Sequence, residues 1–486
     1  MSKPSFAITI LLCFAQLCMT AQEISIKDIE GIPVTDQINL HDLLYANKAA
    51  SGPPKVRKFA DASDNAVSYE DRITNMPQYI HDFIAEFGRA TQEVLDGGSN
   101  WLSDPTLGKV SSGVFYYPLR EVTASVPFTF PSGSSQDVIK QAALNAIIGY
   151  IDAEYDILKS FLPYALICVN LDYPEAFWVG TSYHYGRSYG YSISYYPSGS
   201  GTVTYTLTLM FYLHVNGSYD LRNGGLAGYN FQDTEQLANG VQFFHTCVQN
   251  IMSQCPADGS RYDKLLATHD WLTHNNCYNP YFPNYSQQQI GDTPWSALSA
   301  LEGNIGQKAP VCEGYSRAFK VLCKEMGIPC ILMSGNARSN AGNVGGSHMW
   351  NYVQMENGKW YAIDVTWDDP TVSGTARAVS GYETLKWFML GSNSDLGNGF
   401  LFIDSHPEQW ETSYSNDGSY SWELKPGPEL SLTAYNPEDE DGIKDLKDSK
   451  DLESWFTLDG RKIEKPQKGI NIIRMSDGSA RKVLIK

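Results

Sequence analysis

The chain has 486 residues, 42% of them hydrophobic and 19% charged, a composition that builds packed cores and leaves room for about two to four ordinary domains. A formal net charge of −18 offers phosphates no broad basic field, which excludes nucleic acid as the main partner.

Residues 1–21 begin with Lys3 in the third position, pass through an apolar run from Phe6 to Leu17 and end in the small-residue sequence MTA before Gln22. This is the pattern of a cleaved secretory signal, too short to span a bilayer comfortably, and no later stretch is long and apolar enough to do so. The expectation is a secreted or cell-surface protein with no membrane span. Loss of the signal removes Cys13 and Cys18 from nine cysteines and leaves seven: Cys168, Cys247, Cys255, Cys277, Cys312, Cys323 and Cys330. An odd number in an exported protein points to one free thiol, and the others suit either bridges or buried thiols.

Residues 22–105 mix short helical patterns such as EDRITNMPQYIHDFIAEFG with the polar stretch ANKAASGPPKVRKFADASDNA, which reads as a processing site. That stretch motivates the hypothesis of a removable pro-segment over the cleft, which the sequence by itself leaves open. Residues 106–235 form an α/β lead region. Its helical run SQDVIKQAALNAIIGYIDAEYDILKSFL is followed by Tyr189, Tyr191, Ile193 and Tyr195, then Val203, Tyr205, Leu207, Leu209, Phe211 and Leu213, each set alternating with small or polar residues around a PSGSG turn. A tyrosine stripe suits sugar stacking, but one face of a packed sheet is the favoured reading.

Residues 236–428 are the expected core. Leu237, Val241, Phe244, Val248 and Ile251 share one helical stripe behind Asp233 as N-cap, and Tyr262, Leu265, Leu266, His269 and Leu272 share the next. His269 and His274 fall about 140° apart on that helix, without the glutamate of a zinc-protease motif, so His269 reads as a core histidine and no metal is expected. The acidic stretch NPEDEDGIKDLKDSKDLE lacks calcium-ligand spacing and reads as a solvated linker, residues 429–453. Residues 454–486 read as short strands around LDG, QKG and SDG turns.

The core carries one constellation with chemistry in it. After Cys312, the residues Tyr315, Ala318, Phe319, Leu322 and Met326 mark a helix that stops at Gly327, with Pro329 beyond. A thiol at a helix N-terminus meets backbone N–H groups and a dipole that stabilise an anion, the condition a nucleophilic sulfur needs. Downstream, GSHMWNYVQMENGKWYAIDVTWDDP reads as an aromatic-rich hairpin with His348 at the start of its first strand and Asp364 in its second. A two-residue turn at Asn357-Gly358 would put Asp364 on the other face. A three-residue loop, Glu356-Asn357-Gly358 with Gly358 left-handed, sets His348 opposite Thr366 and makes Asp364 its diagonal neighbour on the same face, and the turn sequence suits this second geometry. Thiol, imidazole and carboxylate can then converge as nucleophile, general base and orienting group.

The stretches PVCEGYSRAFKVLCKEMGIPC, GSHMWNYVQMENGKWYAIDVTWDDP and KLLATHDWLTHNNCYN resemble the core of the transglutaminase-like superfamily, closer to its bacterial secreted members than to the animal cross-linking enzymes. NLDYPEAFWVG resembles the segment that often precedes this core, so the likeness covers roughly residues 165 to 400. The resemblance implies a papain-like α+β fold and a Cys-His-Asp triad at Cys312, His348 and Asp364. It also implies a thioester formed with an amide carbonyl and ended by water or by an amine. It suggests the Trp295 indole, with Gln307 as competitor, for the oxyanion donor beside the Cys312 N–H. No cofactor is implied, and no acidic cluster resembles the calcium sites of the animal enzymes. LDGRKI, PQKGINII and KVLIK near the C-terminus resemble the sorting domains of type IX secretion, with Asn471 where tyrosine is usual.

The sequence thus leads to an exported α+β cysteine peptidase or amidase acting on peptide or protein substrates, with the secretion machinery as a further partner through the C-terminal segment. A protein-glutamine cross-linker and a catalytically silent surface module are the rival readings.

Overall fold

The computed structural model describes residues 22–26, 36–39, 68–73, 76–97, 110–111, 114–215, 234–279, 293–306, 308–343, 345–369, 383–408, 411–414, 420–423, 426–437, 452–457, 460–465, 467, 469–475 and 480–485. The signal-like segment 1–21, the polar stretch 46–66, Asp233, Gln307 and most of the charged linker lie outside the described residues. Helices and antiparallel sheets are segregated along the chain, an α+β fold. No described helix is long and apolar enough to cross a membrane.

Two compact units divide the chain. The first draws on Met1–Ala46, Ile73–Val241 and Glu411–Glu423. Its sheet runs in the order β1 (Gln22–Ile26), β5 (Val179–Tyr196), β6 (Ser200–Val215), β4 (Val114–Thr129) and β3 (Val110–Ser111), with β2 (Asp36–Asn39) also on β5. The alternation expected of β5 and β6 is present: Ile193, Tyr195, Val203, Tyr205, Leu207 and Leu209 are buried on one face. The other face carries hydroxyl pairs across β4 and β6, Thr123 with Thr206 at 3.0 Å and Ser125 with Thr204 at 2.8 Å. Tyr189 and Tyr191 are only half-buried members of this packed sheet. Helices α1 (Gln78–Leu95) and α2 (Gln136–Leu171) complete the unit's layer. α2 runs through Pro163 because its last third, from Leu162 to Leu171, is buried almost all round, and burial outweighs the one backbone bond that proline forgoes. Strands β10 (Glu411–Tyr414) and β11 (Tyr420–Glu423) pair with each other.

The second unit draws on Asn47–Arg72, Gln242–Trp410 and Leu424–Lys486. Helix α3 (Thr234–Met252) leads into it, and α4 (Arg261–Asn275) starts at a capping box in which Ser260 and Asp263 satisfy each other's backbone N–H. After the short α5 (Ala297–Leu301), α6 (Cys312–Glu325) packs on a sheet of order β7 (Cys330–Ala337), β8 (Gly346–Gln354), β9 (Trp360–Ile363). Ser316 on α6 donates to Met349 O at 2.9 Å, and Asn351 Nδ2 donates to Ser316 O at 3.0 Å, locking helix to strand. The short helices α7 (Val365–Asp368) and α8 (Phe402–Ser405) follow.

The β8–β9 hairpin adopts the three-residue-loop register, with Asn351 opposite Ile363 and Gln354 opposite Trp360. Met355 N–H donates to Lys359 O at 3.0 Å across the loop, and Gly358 holds φ 75°, a left-handed value that a side chain would disfavour. Pairing ends at Ile363, so Asp364 is not in the strand as expected. It caps α7 instead, because the chain turns directly into that helix.

The C-terminal strands form a separate sheet in the order β13 (Lys462–Ile463), β12 (Leu452–Thr457), β14 (Gly469–Met475), β15 (Ala480–Ile485). Asn471 is buried there and clips the turn before it, donating to Gln467 O at 2.6 Å and accepting from Gln467 N–H at 3.0 Å. All seven cysteines named above are unbridged thiols.

Candidate active site

Cys312 is the first residue of α6, and Val311, extended, is its N-cap. The approach to it is held by backbone bonds. Val311 N–H donates to Pro294 O at 3.0 Å, Asn279 N–H to Pro310 O at 2.9 Å, and Asn279 Nδ2 to Ala309 O at 2.8 Å. The sulfur thus sits at a helix start whose entry is fixed from two sides, 7% exposed.

His348 lies in β8 with Nε2 2.8 Å from Asp364 Oδ2. The Cys312 side chain lies near enough to the ring to favour its charged form. Burial opposes charging His348, but the Asp364 carboxylate and the Cys312 sulfur outweigh it and raise the ring to about 10. Asp364 is fully buried, which on its own would favour protonation. Its two imidazole partners nevertheless hold it well below the ordinary carboxylate range. Its Oδ1 accepts the Trp367 N–H at 3.2 Å as the cap of α7, and the Trp367 ring stacks on His348 at 4.9 Å. Three sequence-selected residues are therefore in one cluster: sulfur, imidazole, carboxylate.

Residues 247–365, which contain all three, match the family model of the transglutaminase-like superfamily. They form a transglutaminase-like domain. Two solved structures are similar to parts of the chain. One is described as a crystal structure of a TGase, 17% identical, with 41% of this chain and 50% of that one covered at a TM-score of 0.23. The other is described as a proposed cysteine protease from Cytophaga hutchinsonii, 16% identical, with 38% and 66% covered at a TM-score of 0.19. The chain thus spans half the length of the first and 66% of the second. No curated protein matches it.

Two residues of this cluster and its surroundings had no place in the sequence reading. Tyr278 packs against Trp295 and Val311, close to Cys312. Burial, then the nearby Cys312 and Asp364, push its phenol well above the ordinary value. The signal was available: Tyr278 stands in the HNNCYN motif of the family-like segment. Trp295 is buried on the wall beside Tyr278.

The second is His406, directly after α8. Its Nε2 lies 3.1 Å from Asp364 Oδ2, the same oxygen that holds His348, and its Nδ1 lies 3.0 Å from Ser405 Oγ. Burial drives its ring down to about 4, with Asp364 resisting and His348 adding to the fall. No spacing rule links position 406 to 348 or 364. Among the described residues, His348, Asp364 and His406 are the set whose ligand-type atoms come within 4.8 Å of one another, and both contacts to the carboxylate are at hydrogen-bond distance.

Next to this cluster stands a second buried pair. His269 Nε2 is 3.1 Å from Asp368 Oδ2, and Asp368 also accepts from Thr384 Oγ1 at 2.6 Å and Trp387 N–H at 3.0 Å. Tyr315 on α6 donates to Asp369. His269 is thus a core histidine with a partner, while His274 is exposed and bonded to Asp270 O at 2.6 Å on its own helix.

Proposed function

We propose that the protein is a cysteine-dependent amide hydrolase in which Cys312 is the nucleophile, His348 the general acid and base, and Asp364 the group that fixes and charges the ring. The observation that supports it is the placement of His348 between the helix-terminal Cys312 side chain and the Asp364 carboxylate. In this reading the Cys312 sulfur attacks the amide carbonyl carbon and a carbon–sulfur bond forms. The amide C–N bond then breaks, and the amine leaves with the proton from His348 Nδ1. Water next attacks the thioester and gives its proton to the same nitrogen. The acid product departs and the thiolate–imidazolium pair is restored.

The developing oxyanion takes the Cys312 N–H. The Tyr278 hydroxyl, close to Cys312, is the second donor to that oxygen in this reading. Trp295 packs against Tyr278 and Val311 on the apolar side.

Extracytoplasmic location, through residues 1–21, and sorting by the C-terminal sheet belong to the same reading. The deciding experiment offers the full chain a mixture of peptides together with a glutamine donor and a labelled amine, with products read by mass spectrometry. Hydrolysed amide bonds that vanish in Cys312→Ala support the hydrolase. Amine incorporation without hydrolysis replaces it with a cross-linker, and no Cys312-dependent product rejects both.

A further inference from the structure

The Asp364 carboxylate holds more donors than a nucleophile–base–carboxylate relay requires. Its Oδ1 accepts the Trp367 N–H, and its Oδ2 accepts from the rings of both His348 and His406. We propose that His406 is a positioning residue of the site, a second ring donor that fixes Asp364 against His348 and tempers the carboxylate's pull on that ring. The inference rests on the functional reading above and adds a residue to it.

The geometry leaves His406 little choice. Four aromatic rings enclose it: Phe402 stacks at 4.5 Å, while Trp367 at 4.7 Å, Trp350 at 4.9 Å and Trp387 at 5.2 Å present edges or tilted faces. Among the described residues its ring nitrogens meet two polar atoms inside that cage, Asp364 Oδ2 and Ser405 Oγ. A carboxylate oxygen can only accept, so Nε2 must carry the proton and Nδ1 is left as the acceptor. The Ser405 hydroxyl donates its one proton to Arg338 O at 2.7 Å, and would have to rotate away from that carbonyl to donate to Nδ1, 3.0 Å away.

The backbone is shaped to bring this ring in. Gly335 is the cross-strand partner of His348 and also bridges to Glu408. A Cβ at Gly335 would lie 2.0 Å from Pro407 O, so the absence of a side chain lets the 405–408 segment press onto the sheet beside His348. The charged and titratable groups that face His406 and its neighbours in the cluster are Asp364, His348, Cys312 from α6 and Tyr278 beside it.

A neutral N–H on Asp364 Oδ2 competes with His348 for the same oxygen. Removing it makes the carboxylate a better acceptor for His348 and strengthens the charged form of that ring. The test uses the full chain as wild type, His406→Phe, which keeps a ring but loses the donor, and His406→Gln, which keeps an N–H. Nitrogen-15 NMR of labelled histidines gives the tautomer of His406 and the titration midpoint of His348. The expected results are a neutral Nε2–H ring at position 406 at pH 7 and a His348 midpoint raised by about 0.5 pH unit or more in His406→Phe, about threefold in proton affinity. His406→Gln should return the midpoint to the wild-type value.

A folded His406→Phe with the His348 midpoint unchanged or lowered overturns the proposal. So does a wild-type His406 that is charged or carries its proton on Nδ1 at pH 7, a result that needs no variant to fold. Alkylation of Cys312 in the same wild-type samples separates the two claims. A sulfur no more reactive than an ordinary thiol removes the enzymatic reading, while the coupling of the two rings through Asp364 is still measured.

Discussion

Arg72 lies 336 residues from Glu408 in sequence, yet its guanidinium, 1% exposed, forms an ion pair with that carboxylate and lies over the Tyr69 ring at 4.7 Å. Glu408 is 16% exposed and takes the Gly427 N–H at 3.0 and 3.1 Å on its two oxygens. Burial already pushes the Glu408 carboxyl up, and Arg72, followed by the Gly427 N–H, pulls it back. Arg72→Met keeps much of the volume and removes the cation. It strands a buried carboxylate, a change that costs about 3–5 kcal/mol. At about 2–4 °C per kcal/mol for a unit of this size, the melting temperature should fall by about 10 °C. The cost should be smaller at pH 5 than at pH 8, because a protonated Glu408 needs no cation, and Glu408→Gln in the same chain should recover part of it. Thermal and urea unfolding at the two pH values measure this. A melting temperature within about 2 °C of wild type at pH 8, or a loss that does not change with pH, refutes the reasoning. The same pair bears on processing: a cut within residues 46–66 leaves Arg72 in place, whereas a cut beyond it should destabilise the core.

Further outcomes follow from the site. Asp364→Asn removes the charge that holds His348 near 10, so its midpoint should fall toward or below the ordinary histidine value and amide hydrolysis at pH 7 should drop about 10³–10⁴-fold, read by NMR titration and product formation. Tyr278→Phe keeps the ring on Trp295 and Val311 but loses the hydroxyl, and kcat should fall about 10²-fold with KM nearly unchanged in steady-state assays. His406, driven down to about 4, is depressed relative to an unfolded value near 6.5, so its share of stability is complete above pH 6.5 and is lost as pH falls toward 4. Urea midpoints between pH 7 and pH 4 should lose about 3 kcal/mol from this source, and His406→Phe should flatten that part of the profile. Gly335→Ala should displace the 405–408 segment and weaken the His406–Asp364 contact, visible as a changed His406 resonance in a folded protein.

The helix after Cys312 and the parity of the β8–β9 hairpin were legible because both rest on short-range pattern: an apolar stripe, a left-handed glycine and a strand period of two. Asp364 came out on the correct side of the hairpin yet outside the strand. Its carboxylate caps the next helical turn, and alternation says nothing about where a strand yields to a cap. His406 was not legible at all. It reaches Asp364 from 42 residues downstream, through a segment whose local sequence fixes only a short helix and a close approach at Gly335. The Arg72–Glu408 pair escaped for the same reason, since side-chain partners brought together by tertiary packing leave no period in the chain. Tyr278 lay inside a motif already in view, and what sequence lacked was the backbone path that brings its side chain close to Cys312.

The most direct measurement of the central claim is the rate at which iodoacetamide modifies Cys312 at pH 7, resolved by peptide mass spectrometry, in wild type and in His348→Ala. A sulfur paired with an imidazolium at a helix start should react at least about 100-fold faster in wild type than in the variant, and faster than the other six thiols. Equal rates in the two proteins, or a Cys312 no more reactive than its neighbours, contradict the account.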